Sequence, residues 1–294
     1  MFSVKFLLYI LLYMKLEAIV ISVNYGDFLS NTLPYNKHLF DKIVVVTDTT
    51  DEHTKKICEF WNVQCVQTDD FYLDDPKIAN KSRGINVGLQ HLSKDGWIVQ
   101  LDADIWLPTL TREILEKYPL DNKSIYGIDR LMCNSYNDWY NFLHRNPKSI
   151  HEGWIYLHTD IFHIGTRIVQ YHSDGYMPIG FFQLWNPKGS GVYTYPTEKS
   201  GYDRTDVVHL KQWKRENRKF IPDLLCVHLA SEDHRMGQNW FGRNTQTFGP
   251  NPEKISIFTK INNFFRMVHF LLKEKYVFKE LVEKIKIQFS LIFK

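Results

Sequence analysis

Cysteine is scarce in this chain: Cys58, Cys65, Cys133 and Cys226 are the only four in 294 residues. They form no C-x-x-C pair and no zinc spacing, and four are too few to staple a chain of this length, so a disulfide framework and a zinc module are excluded. A reducing, cytoplasmic compartment is the expectation. No apolar run reaches the ~20 residues that a membrane-spanning helix needs. The amino-terminal FSVKFLLYILLYM has the composition of a signal-peptide core, but a strand is expected soon after it and no small-residue cleavage site intervenes; Met14 as the true start is an equal alternative. There is no internal repeat and no H-E-x-x-H among the histidines. Glycine is not gathered into any loop able to cradle a triphosphate. Two N-x-S/T sequons occur, at Asn80 and Asn122, but the first falls in a segment assigned below to a ligand site, which argues against glycosylation.

A strong excess of charge of one sign is also missing from most of the chain. The net charge is +3, yet from Lys254 onward nine Lys/Arg stand against three Glu, which leaves residues 1–253 slightly acidic. A nucleic-acid surface on the main domain is therefore not expected. The basic end also carries two apolar stretches at helical spacing, Ile257, Ile261, Phe264, Phe265, Val268 and Leu272, then Phe278, Val282, Ile285, Phe289 and Ile292. Basic flanks on apolar faces suit peripheral contact with an anionic membrane, and a helical appendage packed on the domain is the alternative.

What is present is an alternation of strands and helices. EAIVISVN (17–24) and the apolar run beginning at Trp97 read as buried strands, and KIVVVTD (42–48) and VQCVQ (63–67) as the second and third strands between them. Helices are expected between them, in part over 27–40, where Pro34 forbids one unbroken helix, and over 51–61 and 81–92. This order implies a parallel sheet with right-handed crossovers. Past Pro119 the alternation loosens, with strands expected at 175–186 and 223–230 and a helix at 205–216. The division that follows is an amino-terminal extension over 1–15, an α/β domain over 16–250 and a basic helical tail over 251–294.

The most informative string is WIVQLDADIWLP (97–108), where a buried strand runs into Asp102 and Asp104. Ligands of open α/β sheets bind beyond the carboxyl ends of the strands. Residues i and i+2 of a strand share a face, so both carboxylates are expected to point at one cation. Two hard oxygen ligands suit Mg²⁺ or Mn²⁺ held jointly with substrate phosphates, whereas a polar cap on a strand end is the bland alternative. Lys81 and Arg83 open a helix whose amino end favours an anion. Asp48 follows the second strand, either as a polar anchor for a ligand or as a cap before the next helix.

These pieces together resemble a GT-A fold, metal-dependent nucleotide-sugar glycosyltransferase, family-2-like, of the bacterial and large-virus type. The resemblance rests on VNYGDFL, VVVTD, KSRGINVGL, LDADIWLP and HLASEDHRMGQNWFGR in that order, over roughly residues 17–243. It implies an α/β, Rossmann-like, mostly parallel sheet flanked by helices. It also implies transfer of a sugar from a nucleoside diphosphate-sugar, with UDP favoured, to a hydroxyl on a glycan, lipid-linked or glycoprotein acceptor, assisted by Mn²⁺ or Mg²⁺. By the same resemblance Asp104 binds the metal, Asp102 shares it or holds the ribose, and His228 completes the site. Asn24, Tyr25 and Asp48 face the nucleoside, Lys81 and Arg83 the diphosphate or base, and Trp240 and Arg243 clamp the diphosphate. Gln183 and Trp185 line the sugar and acceptor pocket, the alternative for both being a buried aromatic strand. Asp206, ahead of Asp203, is the expected base, which makes the enzyme inverting.

Three other readings stay in view. A sugar nucleotidyltransferase shares the sheet but needs a glycine-rich loop that VNYGDFL does not provide. A haloacid-dehalogenase-like phosphatase also uses D-x-D, but near the start of the chain and with Thr or Val after the second aspartate, where Ile105 and Trp106 stand here. A non-catalytic carbohydrate- or nucleotide-binding protein on a degenerate transferase fold is the alternative from another class.

Overall fold

In a computed structural model of the chain, residues 14–77, 79–133, 136–144, 159–160, 176–197 and 205–229 are described. Nine strands lie among them: β1 (Leu16–Ile21), β2 (Lys42–Thr47), β3 (Gln64–Gln67), β4 (Trp97–Asp102), β5 (Ile105–Trp106), β6 (Ile125–Cys133), β7 (Thr159–Asp160), β8 (Phe182–Trp185) and β9 (Arg218–Leu229). All belong to one sheet of order β3-β2-β1-β4-β8-β6-β9-β5, with β7 paired to β6. The first four strands are mutually parallel, with Val20 level with Val45 on one side and Leu101 on the other. β8 then runs antiparallel between β4 and β6, while β9 returns parallel to β6 and carries the short antiparallel β5. The sheet is mixed, and by length of pairing mostly parallel.

β1 shows why the first half is legible from sequence. Ala18 and Val20 pack into one apolar cluster and Ile19 and Ile21 into the other, so both faces are covered and the strand is apolar almost throughout. Its exception, Glu17, is buried, and its carboxylate accepts hydrogen bonds from the N–H and hydroxyl of Ser93 at 2.9 and 2.7 Å.

The helices are α1 (Gly26–Asn36), α2 (Glu52–Phe60), α3 (Lys81–Gln90), α4 (Thr111–Lys117), α5 (Tyr136–Leu143), α6 (Pro187–Ser190) and α7 (Thr205–Leu210). Asp51 caps α2 by accepting from the Thr54 N–H, and Asn80 caps α3 by accepting from the Ser82 N–H. Leu29 and Leu33 of α1 join the cluster on one face of the sheet, and Ile85 and Leu89 of α3 join the cluster on the other. Burying each of these side chains is worth about 1.5–3 kcal/mol.

Several boundaries differ from the sequence reading. Pro34 lies inside α1, because it falls in the last turn and the carbonyl four residues back belongs to exposed Ser30, where water can replace the lost bond. The strand expected over 175–186 is confined to β8. α7 ends at Leu210, where the Trp213 N–H bonds to the Leu210 carbonyl and tightens the turn. β9 starts at Arg218, earlier than expected. No helix among the described residues is long and apolar enough to cross a membrane. The amino-terminal extension up to residue 13 and the basic tail over 251–294 lie outside the described residues.

Two glycines set the distance of α3 from its neighbours. A Cβ on Gly88 would come 2.8 Å from a Val46 methyl and 2.9 Å from an Ile19 methyl, and one on Gly84 would run into the buried Phe71 ring. Gly84→Ala recovers about 1 kcal/mol of helix propensity but overpacks a filled site at about 1–3 kcal/mol. Urea unfolding of Gly84→Ala is expected to show a lower midpoint with an unchanged slope. An unchanged or higher midpoint would show that Phe71 does not hold α3 in place.

Candidate functional site

Asp102 ends β4, level with Ile21 of β1, and its N–H donates to the Phe181 carbonyl at 3.1 Å. The chain then turns through 103–104 into β5. β5 pairs with β9 so that Ile105 is level with His228, and the Asp104 carbonyl accepts from the Leu229 N–H at 2.9 Å. From the other side α1 holds the same turn. Thr32 donates to the Ala103 carbonyl at 2.6 Å, Asn36 donates to the Ile105 carbonyl at 2.6 Å, and Asn36 accepts from the Leu107 N–H at 2.9 Å. Thr32 and Asn36 escaped the sequence reading, although two buried polar residues four apart on a helix were the available signal.

Because Asp104 lies in a turn, it does not share a strand face with Asp102. Asp102 Oδ1 receives the Lys81 ammonium and the Gln100 amide, the latter at 3.0 Å. Asp104 Oδ2 is 3.0 Å from His228 Nε2, while its Oδ1 is buried with no hydrogen-bond partner among the described residues. The expected joint ligand set of Asp102, Asp104 and His228 is therefore not assembled. Among the described residues no three His, Cys, Asp or Glu side chains come together as a ready metal cage. One carboxylate oxygen is nonetheless left over at Asp104, and Mg²⁺ and Mn²⁺ sites need only one or two carboxylates when substrate phosphates supply the rest. The residues fit such an ion through Asp104.

The electrostatics agree with an ionised Asp104. Burial pushes its carboxyl upward, but His228 at Oδ2 and the charges of Arg130 and Lys81 outweigh this and hold it below the ordinary range. Arg130, on β6, is the main residue of this candidate site that the sequence reading missed. Its guanidinium lies 4.4 Å over the Phe181 ring, and its Nη1 is 2.9 Å from His228 Nδ1. It lies in the segment past Pro119, which has no motif to announce it.

The two basic residues of α3 separate. Lys81 reaches Asp102 and also donates to the Gly180 carbonyl at 3.4 Å. Arg83 instead makes a two-pronged ion pair with Asp74, both contacts at 2.7 Å, and is committed to the preceding loop. Asn86 bonds both ways with the Tyr195 backbone, at 2.8 and 2.7 Å, and ties α3 to the loop after α6.

Asp206 opens α7 opposite Lys81. Its Oδ2 accepts from the Gly180 N–H at 2.6 Å and its Oδ1 from the Val207 N–H at 2.8 Å. Burial raises its carboxyl above the ordinary value, more than those two N–H groups and Lys81 lower it. The Gly180 backbone thus joins Lys81, through its carbonyl, to Asp206, through its N–H.

Gln183 and Trp185 are placed in the core and line no open pocket. Both are fully buried, since β8 is flanked by β4 and β6 and its side chains are covered. Gln183 donates to the Pro178 carbonyl at 2.6 Å and accepts from the Tyr195 hydroxyl at 2.6 Å; the Trp185 indole donates to the Val192 carbonyl at 3.1 Å. Asp203, Trp240 and Arg243 lie outside the described residues.

At the end of β1, Asn24 is exposed and takes a left-handed φ of 59°, a conformation asparagine tolerates, and its N–H donates to Asp51 Oδ2 at 2.8 Å. Tyr25 follows, partly buried, its ring 5.6 Å from that of Phe28. Asp48 is engaged by the protein at both oxygens. It accepts from the Thr50 N–H and hydroxyl, from the Asp51 N–H at 3.0 Å and from the Tyr72 hydroxyl at 3.0 Å. Its visible task is to build the turn that presents Asp51 to Asn24.

No protein-family model matches this sequence, and no curated protein does. Solved structures with a similar arrangement include glucosyl-3-phosphoglycerate synthase from Mycobacterium tuberculosis in complex with Mn²⁺, UDP and glucosyl-3-phosphoglycerate, at 10% identity and TM-score 0.38, covering 73% of this chain and 72% of that one. Its complex with Mn²⁺, UDP and phosphoglyceric acid matches at 9% identity and TM-score 0.41, over 73% and 70% of the two chains. A nucleotidyl transferase from Methanothermobacter thermautotrophicus matches at 13% identity and TM-score 0.38, over 73% and 86%. None superposes closely enough to assign an activity.

Asp48 leaves a mark on Tyr72. Burial first, then the hydrogen bond to Asp48 and its charge, push the Tyr72 phenol up to about 12. In Asp48→Asn the phenol is expected to titrate closer to 10, followed by tyrosinate absorbance against a Tyr72→Phe control. Asp48→Ala, which strips the acceptor from these donors, is expected to cost about 1–3 kcal/mol in urea unfolding. An unmoved Tyr72 together with unchanged stability would mean that Asp48 is free for a ligand.

Proposed function

We propose that this chain is a divalent-metal-dependent glycosyltransferase that moves a sugar from a nucleoside diphosphate-sugar, with UDP-sugar favoured, to a hydroxyl acceptor with inversion. The observation that carries this reading is Asp104 Oδ1: a buried carboxylate oxygen, unpartnered among the described residues, held ionised beyond the end of β4 with Lys81 and Arg130 nearby. An unpaired buried acceptor is costly unless something binds it, and the crevice past the carboxyl ends of the strands is where α/β sheets take ligands.

A divalent cation bound there would neutralise charge on the departing diphosphate. Asp104 would hold it through Oδ1, with donor phosphates completing its surroundings. The chain's own groups do the rest. Lys81 and the amino end of α3 offer positive charge to the diphosphate, while Asp102 steers Lys81 and lies within reach of the ribose. Asn24 and Tyr25 face the nucleoside at the end of β1. Asp206 takes the proton from the acceptor hydroxyl as its oxygen attacks the anomeric carbon and the sugar–phosphate bond breaks. Each Asp206 oxygen accepts one backbone N–H and keeps a second lone pair. Its raised pKa makes it a stronger base than an exposed aspartate.

The test is a screen of UDP- and GDP-sugars with Mn²⁺ or Mg²⁺, scoring nucleoside diphosphate release and acceptor glycosylation. Asp206→Asn is expected to lower kcat by about 10²–10⁴-fold with the donor KM little changed. A base must be ionised to act, so kcat/KM should fall as pH drops through the Asp206 pKa, at a pH above the ordinary aspartate value of 3.8. Full activity in Asp206→Asn, or an acid limb at or below 3.8, would remove Asp206 as the base.

A further inference from the structure

His228 lies between an acid and a cation. Its Nε2 is 3.0 Å from Asp104 Oδ2, its Nδ1 is 2.9 Å from Arg130 Nη1, and its ring stacks at 22° on Phe181, the ring that also carries the guanidinium. β6 and β9 create this arrangement. They pair in parallel with Met132 level with His228 and Arg130 level with Cys226, and the register shifts between Gly127 and Asp129, just before Arg130. Such a bulge re-aims the side chains that follow it.

The chemistry of the two neighbours leaves one choice of proton. A guanidinium has N–H donors and no acceptor. Burial pulls the Arg130 pKa down, yet an arginine side chain keeps its proton in a protein. Nδ1 of His228 must therefore be the bare, accepting nitrogen, and the ring proton sits on Nε2. That proton is donated to Asp104 Oδ2. A histidine that ligates a metal has the opposite arrangement, coordinating through a bare nitrogen and donating its other N–H to a carboxylate, carbonyl or water. Here the nitrogen that faces the acid carries the proton, and the bare one is covered by a cation.

We infer that His228 is a positioning residue and not a metal ligand: Arg130 sets its tautomer, His228 occupies Asp104 Oδ2, and Asp104 presents Oδ1 alone to a cation. The tautomer stands independently of the glycosyltransferase reading; only the identity of what Oδ1 receives rests on it. Removing the Arg130 donor frees the imidazole to take either tautomer, so Arg130→Met is expected to loosen the hydrogen bond at Asp104 Oδ2.

The full chain, labelled with ¹⁵N in its histidines and free of metal, tests the first half by long-range ¹H–¹⁵N spectra, with His228→Gln identifying the signal. A protonated Nε2 and bare Nδ1 are expected in the wild type, and a mixture of tautomers in Arg130→Met. Nδ1 protonation in the wild type would overturn the inference, whether or not Arg130→Met folds. The second half is read by electron spin-echo modulation of Mn²⁺ added with UDP. No ¹⁵N coupling from histidine is expected, and a coupling that disappears in His228→Gln would overturn it. Absence of any bound Mn²⁺ would count against the glycosyltransferase reading, while the nitrogen spectra would still decide the tautomer.

Discussion

The pairing of the two-residue β5 with the end of β9 is the constraint on which the rest of the site depends. It sets Asp104 against His228 across 124 positions of sequence, and the Leu229 N–H fixes the Asp104 carbonyl in the same stroke. Closing so long a loop costs entropy that a two-residue ladder does not repay by itself. The remainder comes from α1, whose Thr32 and Asn36 hold the carbonyls of Ala103 and Ile105 from the opposite side, and from burial of Ile105 and Trp106. The carboxylate turn is gripped from two directions by elements that themselves pack on the sheet.

Around that turn three acids are held in three ways. Asp102 has the Lys81 ammonium and a glutamine amide, Asp104 has a histidine N–H with an arginine behind it, and Asp206 has backbone N–H groups. Charges leave water at a cost that only close partners offset. The different partners set opposite pKa directions, downward at Asp104 and upward at Asp206. One environment favours the charged carboxylate, and the other makes a carboxylate readier to accept a proton. The Gly180 backbone touches both Lys81 and Asp206, so the two are tied to one loop.

The first half of the fold was legible in the sequence because β1, β2 and β4 are covered on both faces, which makes them apolar runs separated by helical patterns, and the edge strand β3 (Gln64–Gln67), half-exposed, follows from their alternation. The position of Asp102 and Asp104 at the end of β4 followed from the same signal. What the local pattern could not show was that the strand ends at Asp102, since the turn at 103–104 is enforced by β9 and α1, both far away in sequence. Arg130 was invisible for a related reason: its meaning comes from a parallel neighbour, β9, and from the register shift before it. The family resemblance puts Gln183 and Trp185 at the sugar and acceptor pocket, with a buried aromatic strand as the alternative. The flanking strands β4 and β6 instead make them core, with their polar atoms satisfied by Pro178, Tyr195 and Val192.

The central claim is that Asp104 Oδ1 receives a divalent cation shared with a nucleoside diphosphate. Isothermal titration of the full chain with UDP, with and without Mn²⁺, and of Asp104→Asn under the same conditions, tests it most directly. UDP binding that requires Mn²⁺ and weakens at least about tenfold in Asp104→Asn, a loss of about 1.4 kcal/mol, is the predicted result. UDP binding that is indifferent to Mn²⁺, or equal in the wild type and Asp104→Asn, would contradict it.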